Sequence, residues 1–93
     1  MKDIQDLYTG GTGSTIETAV IINTDSYAIG VPAEYEYIKN IHGVHGEDYS
    51  LLKQSLSFVN ENSYDEILIK LKNGEEISYF FNISQFFGTD ISL

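Results

Sequence analysis

The chain has 93 residues, a length that fits one small domain with a single hydrophobic core. Fourteen acidic residues against five lysines give a net charge of −9, which argues against nucleic acid and anionic membranes as partners and favours a basic protein. The absence of cysteine excludes disulfides, zinc–thiolate sites and a cysteine nucleophile, and it fits a cytoplasmic location. The first residues lack an apolar run, so we expect no secretory signal, and no apolar stretch approaches the roughly 20 residues that a membrane helix needs.

The first half of the chain predicts one strand and one helix. Residues 1–15 form a glycine-rich N-terminal segment that we expect to be flexible. The β-branched run 16–22 predicts the first strand. Pro32 predicts the first turn of a helix, because proline is tolerated where the backbone N–H has no helical partner, and either Gly43 or Gly46 would end this helix. Glu34 and Glu36 would then lie at the positive end of the helix dipole.

Two alternating apolar runs in the second half predict a β-hairpin around residues 72–74. A three-residue loop with a left-handed glycine places Ile69 opposite Ile77 and Ile67 opposite Tyr79. A two-residue Asn-Gly turn would instead set polar side chains among the apolar ones, because a slip of one residue moves every side chain to the other face. The sequence therefore predicts the three-residue loop with a bulge.

The segment 50–59 has two interpretations, a strand and a helix, and strand propensity favours the first. In the strand interpretation, a four-residue loop over 60–63 places Leu56 opposite Ile67 and Phe58 opposite Asp65.

The architecture that follows is a single domain over residues 1–93 in the α+β class. One helix packs on one face of a four-stranded, mostly antiparallel sheet, in the order β-α-β-β-β with a C-terminal meander. The predicted core consists of apolar side chains on one face of the strands and two from the helix: Leu52, Leu56, Phe58, Ile67, Ile69, Leu71, Ile77, Tyr79, Phe81, Ile83, Tyr35 and Ile38.

Residues that could bind a metal ion are concentrated in segment 42–48, where His42 and His45 are candidate ligands beside two acids. The two glycines of this segment leave the ligands without a rigid frame, so we expect no bound metal. Signatures of nucleophilic catalysis and of phosphate loops are missing. The sequence therefore predicts a protein without catalytic activity and without a cofactor.

The chain contains seven tyrosines, and four of them lie near acidic residues: Tyr35, Tyr37, Tyr49 and Tyr64. Tyrosine is enriched at interfaces, since it buries area while keeping a polar tip. An acidic rim around aromatic anchors suits a basic partner. The sequence predicts one continuous partner-binding surface that runs from the helix to the segment that follows it. Its residues are Glu34, Glu36, Tyr37, Glu47, Asp48 and Tyr49.

Several stretches also resemble a family: Gly-Thr-Gly-Ser-Thr-Ile-Glu-Thr-Ala-Val-Ile-Ile at 11–22, Ala-Glu-Tyr-Glu-Tyr-Ile at 33–38, Tyr-Asp-Glu-Ile-Leu-Ile-Lys-Leu-Lys-Asn-Gly at 64–74, and Tyr-Phe-Phe-Asn-Ile-Ser-Gln-Phe-Phe-Gly at 79–88. Together they resemble short bacterial proteins similar to the immunity proteins of polymorphic or contact-dependent toxin systems. The resemblance implies an acidic binding protein that neutralises a cognate bacterial toxin by occluding its active site. The alternatives are a small ligand- or metal-binding domain centred on 42–48, and a structural subunit that forms homodimers.

Overall fold

A computed structural model describes residues 7–88 as one helix packed on a five-stranded mixed sheet. The elements are β1 (Tyr8–Gly10), β2 (Val20–Ile22), α1 (Tyr27–His42), β3 (Tyr49–Val59), β4 (Asn62–Leu71) and β5 (Glu76–Asn82). The predicted α+β class is confirmed. The additional strand is β1, which lies inside the N-terminal segment 1–15; residues 1–6 of that segment lie outside the described residues.

The strands are ordered β1-β2-β5-β4-β3 across the sheet. β2 runs parallel to β5, and all the other neighbours are antiparallel. A parallel pair requires a crossover connection, and the chain supplies it through α1, β3 and β4. This topology leaves β1 and β3 as the two edges of the sheet. Within residues 7–88, no helix is long and apolar enough to cross a membrane.

The first predicted strand is shorter than its β-branched run. β2 begins only at Val20, because Thr15 and Thr18 close a tight turn before it. The Thr18 N–H donates to the Thr15 carbonyl at 3.2 Å, and the two hydroxyl oxygens lie 2.9 Å apart. Threonine side chains offer the backbone such local alternatives to a sheet.

The helix begins earlier than its proline predicts. Ser26 caps α1, and its hydroxyl accepts a hydrogen bond from the Ile29 N–H at 3.2 Å. Pro32 consequently lies inside the helix, and the first turn contains no acid, so the predicted dipole role of Glu34 and Glu36 is wrong. Of the two predicted ends, Gly43 is the one observed, because α1 ends at His42 and Gly43 follows it with φ 110°.

The hairpin between β4 and β5 has the predicted register. Ile69 lies opposite Ile77, and Ile67 lies opposite Tyr79. Gly74 adopts the left-handed conformation, with φ 93°. These four apolar residues therefore share one face of the sheet and belong to the core or pack against it.

The hairpin between β3 and β4 differs from its prediction. Segment 50–59 is strand, as strand propensity favours, but its loop contains two residues, Asn60 and Glu61, with φ of 52° and 69°. Leu56 consequently lies opposite Asp65 and Phe58 opposite Ser63, so the predicted pairing is wrong although the same face is retained. A bulge between residues 51 and 53 further interrupts the register.

The core lies between α1 and the central strands. Its buried apolar residues are Ala19, Val20, Ile22, Ala33, Ile38, Tyr49, Ile67, Ile69, Phe81, Ile83 and Phe86. The predicted core residues Leu71, Ile77, Tyr79 and Tyr35 are partly buried against this cluster.

Three predicted core residues of β3 are exposed. Leu52, Leu56 and Phe58 keep 45%, 45% and 65% of their surface in contact with solvent, so their core assignment is wrong. The physical reason is the position of β3 at the edge of the sheet, whereas the single helix covers the centre. The fold leaves these apolar surfaces uncovered.

Candidate binding cleft

The predicted partner-binding residues are Glu34, Glu36, Tyr37, Glu47, Asp48 and Tyr49, and they do not form one exposed surface. Two of them belong to the interior: Glu34 is 1% exposed and Tyr49 is 8% exposed. Glu36 and Glu47 are exposed, and the remaining two are half-buried. The predicted continuous surface is therefore wrong at Glu34 and Tyr49, because α1 turns the first toward the sheet and the second packs into the core from the start of β3.

Asp48 stabilises the turn that follows the C-terminus of α1. Its Oδ2 atom accepts a hydrogen bond from the Val44 N–H at 2.7 Å, and its Oδ1 atom lies 3.9 Å from Lys72 Nζ. A β-carbon on Gly43 would clash with the same carboxylate, so the turn closes tightly around it. This residue therefore has a structural task in the folded chain.

Tyr37 belongs to an aromatic cluster at the edge of the core. Its ring centroid lies 5.3 Å from that of Tyr8, 5.6 Å from that of Phe81 and 6.1 Å from that of Tyr79. Its hydroxyl donates to the carbonyl of Thr12 at 3.3 Å. These contacts fasten the loop after β1 to the helix.

The two histidines contact tyrosines. His42 Nε2 lies 2.7 Å from the hydroxyl of Tyr79, and the ring of His45 stacks on that of Tyr49 with centroids 5.5 Å apart. Across residues 7–88, no group of three or more His, Cys, Asp and Glu side chains is arranged to hold a metal ion.

A cleft of 450 Å³ lies on the helix side of the sheet, between α1, the strands β3 and β4, and the turn after β5. Its volume falls within the range of small-molecule binding sites. The acids Glu34 and Asp65 meet here, although one belongs to the helix and the other to the sheet. The cleft is lined by Tyr27, Val31, Glu34, Gln54, Ser55, Leu56, Asp65, Ile83, Phe86 and Phe87.

Glu34 enters the interior because of its place on α1. Gly30, Glu34 and Ile38 follow one another at intervals of four residues, so they share one helix face, and all three are buried. Gly30 brings the helix close to Phe86, since a β-carbon there would clash with the ring. Close packing at Gly30 thus brings the next turn, with its carboxyl group, against the sheet.

The carboxyl group of Glu34 is protonated at neutral pH. Burial, then a hydrogen bond to Asp65 and then the charge of Asp65 raise the pKa of Glu34 from 4.5 to about 10. Ionisation of Glu34 is disfavoured because the carboxylate would lose its contact with water and would lie close to a like charge. Glu34 therefore keeps its proton in the folded chain, and its Oε1 atom is buried without a hydrogen-bond partner.

Asp65 is oriented by a second hydrogen bond from the sheet. The amide of Gln54 donates to Asp65 Oδ2 at 3.2 Å, and the hydroxyl of Tyr35 donates to Gln54 Oε1. This chain of contacts links α1, β3 and β4. The floor of the cleft thus contains two neighbouring carboxyl groups, one of which is oriented by Gln54.

The walls of the cleft are aromatic and aliphatic. Tyr27 and Phe86 contact edge to face with centroids 6.2 Å apart, and Phe87 makes a similar contact with Phe58 at 5.6 Å. Leu56 closes the side of the cleft next to β3. An acidic floor below aromatic walls is a chemistry suited to a cation, because ring faces and carboxylates both attract positive charge.

Two polar residues at core positions of the sequence indicate the cleft, but the sequence-based prediction of the site did not combine them. Asp65 interrupts the apolar alternation of β4 on the core face, and Glu34 interrupts the apolar spacing of α1. Both are polar residues at core positions, and polar groups at such positions require partners. Their pairing in space depends on the packing of the helix that begins at Tyr27, whereas the proline predicts a later start.

No family model, curated protein or solved structure matches the chain.

Proposed function

We propose that this protein is an acidic binding protein that neutralises a basic bacterial toxin domain in the cytoplasm by covering its active site, without catalysis of its own. The observation that carries this proposal is the strip of exposed apolar side chains along the edge strand β3, next to the acidic cleft. The resemblance to immunity proteins agrees with it.

The apolar strip favours a protein as partner. Leu51, Leu52, Leu56 and Phe58 are between 39% and 65% exposed on one strand. Complete burial of each such side chain is worth about 1.5–3 kcal/mol, and folding alone realises only part of this gain. Exposed apolar patches with polar rims mark interaction surfaces.

The edge of β3 is protected against simple strand addition. Lys53 lies in the middle of the strand, and the bulge between residues 51 and 53 breaks its regular hydrogen-bonding pattern. Both are devices that prevent edge-to-edge aggregation. We therefore expect the partner to contact the side chains of this strand rather than extend the sheet.

The charge distribution favours a basic partner. Among residues 7–88, Lys72 and Asp48 form the one ion pair within 4.0 Å, so the other exposed acids, such as Glu36 and Glu47, act as uncompensated charges. Toxins that act on nucleic acid need a basic cleft. An acidic protein is steered onto such a cleft and gains association rate from the attraction.

Co-expression tests the proposal. The chain and the product of the neighbouring gene would be expressed together and separately, and growth and co-purification measured. We expect the neighbouring product alone to arrest growth, and the pair to grow and to purify as a stoichiometric complex. Growth arrest that persists in the presence of the chain, or the absence of a stoichiometric complex, would contradict the proposal.

A further inference from the structure

The floor of the cleft contains an acceptor that the fold does not use. Glu34 is 1% exposed, it lines the cleft, and its Oε1 atom has no hydrogen-bond partner. Buried polar atoms without a partner are rare and costly in folded proteins. A ligand with hydrogen-bond donors would satisfy this atom, and a cation would also compensate the charge on Asp65.

We propose that the cleft binds the guanidinium group of an arginine side chain, with Glu34 and Asp65 as the receiving carboxyl groups. The source of the arginine, a basic partner protein, rests on the proposed function. The binding chemistry of the cleft stands on its own geometry.

Guanidinium fits this site better than ammonium. It is planar and presents five N–H donors in a rigid fork, which suits two adjacent carboxyl groups. It is also more weakly hydrated, so the cost of moving it into a buried site is lower, and it stacks on aromatic faces. Tyr27, Phe86 and Phe87 supply aromatic rings in the walls.

Binding of a cation favours the ionised form of Glu34. The free protein holds a proton there, and a guanidinium group within hydrogen-bond distance would stabilise the carboxylate that remains when this proton leaves to solvent. Affinity must therefore rise with pH over the range where the free protein is protonated and the complex is not.

Within residues 7–88, the other titratable groups that face Glu34 belong to α1 and β4. The facing titratable groups are Asp65 from β4 and Tyr27 and Tyr35 from α1, while β3 contributes the neutral side chain of Gln54. The pKa of Tyr35 is raised by burial, by Glu34 and by Asp65, which moves it further from the range between pH 7 and 9. The turn after β5 contributes apolar side chains to the cleft.

The experiment titrates the isolated chain with butylguanidinium and follows backbone and side-chain NMR signals at pH 7, 8 and 9. We expect shifts at the cleft residues and an affinity that rises by up to about tenfold per pH unit. Butylurea, which has a similar shape and N–H donors without the charge, serves as the probe control and should bind more weakly, with no rise in affinity as pH increases.

Two variants test whether Glu34 is the group that causes the pH dependence of binding. Glu34→Gln keeps the size and the donor toward Asp65, and its NMR spectrum verifies the fold; we expect weaker binding and no rise with pH. Glu36→Gln, an exposed acid on the same helix, should bind as the wild type does. Shifts confined to exposed acids, a flat pH dependence in the wild type, or a rise that persists in Glu34→Gln would overturn the proposal. Because no partner is present, this result is independent of the co-expression test.

Discussion

Glu34 on α1 lies against Asp65 on β4 at the interface between helix and sheet, and the buried carboxyl group of Glu34 keeps its proton at neutral pH. Their pairing and, above all, burial raise the pKa of Glu34 to about 10. The unfolded chain has no such environment, so its Glu34 ionises near the ordinary value of 4.5. The difference couples the stability of the fold to pH.

The first prediction concerns this coupling. Above pH 4.5 the folded chain holds a proton that the unfolded chain has lost, so the stabilisation from Glu34 is complete below pH 4.5 and is lost as pH rises toward 10. The free energy of unfolding should fall by about 1.4 kcal/mol per pH unit between pH 7 and 9. Urea unfolding of wild type and Glu34→Gln measures this slope, which should disappear in the variant. Glu36→Gln should retain it, and an equal slope in all three proteins would contradict the account.

The second prediction concerns the contact between Gly30 and Phe86. A methyl group at position 30 would clash with the Phe86 ring, so Gly30→Ala forces the helix and the ring apart. We expect a loss of about 1–3 kcal/mol in the free energy of unfolding, the usual cost of overpacking. Chemical denaturation measures it. The double variant Gly30→Ala/Phe86→Leu should recover part of the loss caused by the alanine, and a stability equal to wild type for Gly30→Ala alone would refute the contact.

The third prediction concerns the two-residue turn between β3 and β4. Glu61 has φ 69°, a conformation that disfavours a side chain by roughly 1–2 kcal/mol, and Asn-Gly is the preferred sequence of such turns. The greater freedom of glycine in the unfolded chain offsets about 0.5–1 kcal/mol of this gain. Glu61→Gly should therefore stabilise the protein by about 0.5 kcal/mol in thermal or urea unfolding. Destabilisation would indicate a longer loop, such as the four-residue loop that the sequence predicts.

The fourth prediction concerns the exposed acids, which we expect to affect the rate of association with a basic partner and not the rate of dissociation. Glu36→Lys and Glu47→Lys reverse exposed charges that form no ion pair within the described part of the chain. They should slow association with a basic partner, leave dissociation nearly unchanged, and lose their effect as salt shortens the screening length from about 10 Å at 0.1 M. Surface-plasmon kinetics at several salt concentrations measures both rates, and a change confined to dissociation would contradict the steering role. Asp48 is unsuitable for this test because it holds the turn at Val44.

The fifth prediction tests the homodimer alternative at the same edge. If β3 binds a foreign protein, the isolated chain should sediment as a monomer over a wide concentration range. A concentration-dependent dimer that Phe58→Asp abolishes would instead assign the exposed strip to self-association.

Sequence-based prediction succeeded where local rules and burial agree. The register of β4 and β5 followed from alternation and from a glycine in a three-residue loop, since a slip of one residue would bury polar side chains. The predicted helix start was wrong because Pro32 is the usual mark of a first turn, whereas the cap is Ser26 and the helix begins at Tyr27.

The exposure of β3 and the cleft could not be derived from local rules. Leu56 and Phe58 alternate as core residues do, yet the position of β3 at the sheet edge leaves them exposed, and strand order is a property of the whole topology. Glu34 and Asp65 lie far apart in the sequence. Each is recognisable as a polar residue at a core position, but only the packing of α1 on β4 makes them partners.

Inhibition of the neighbouring gene product by the purified chain decides whether this protein acts by covering the active site of a toxin. The activity of that product would be titrated with wild type and with Phe58→Asp, a change at a side chain that is 65% exposed. We predict stoichiometric inhibition by the wild type and a clear loss of inhibition by the variant, whose NMR spectrum should remain that of the folded protein. No inhibition by the wild type, or equal inhibition by both proteins, would contradict the account.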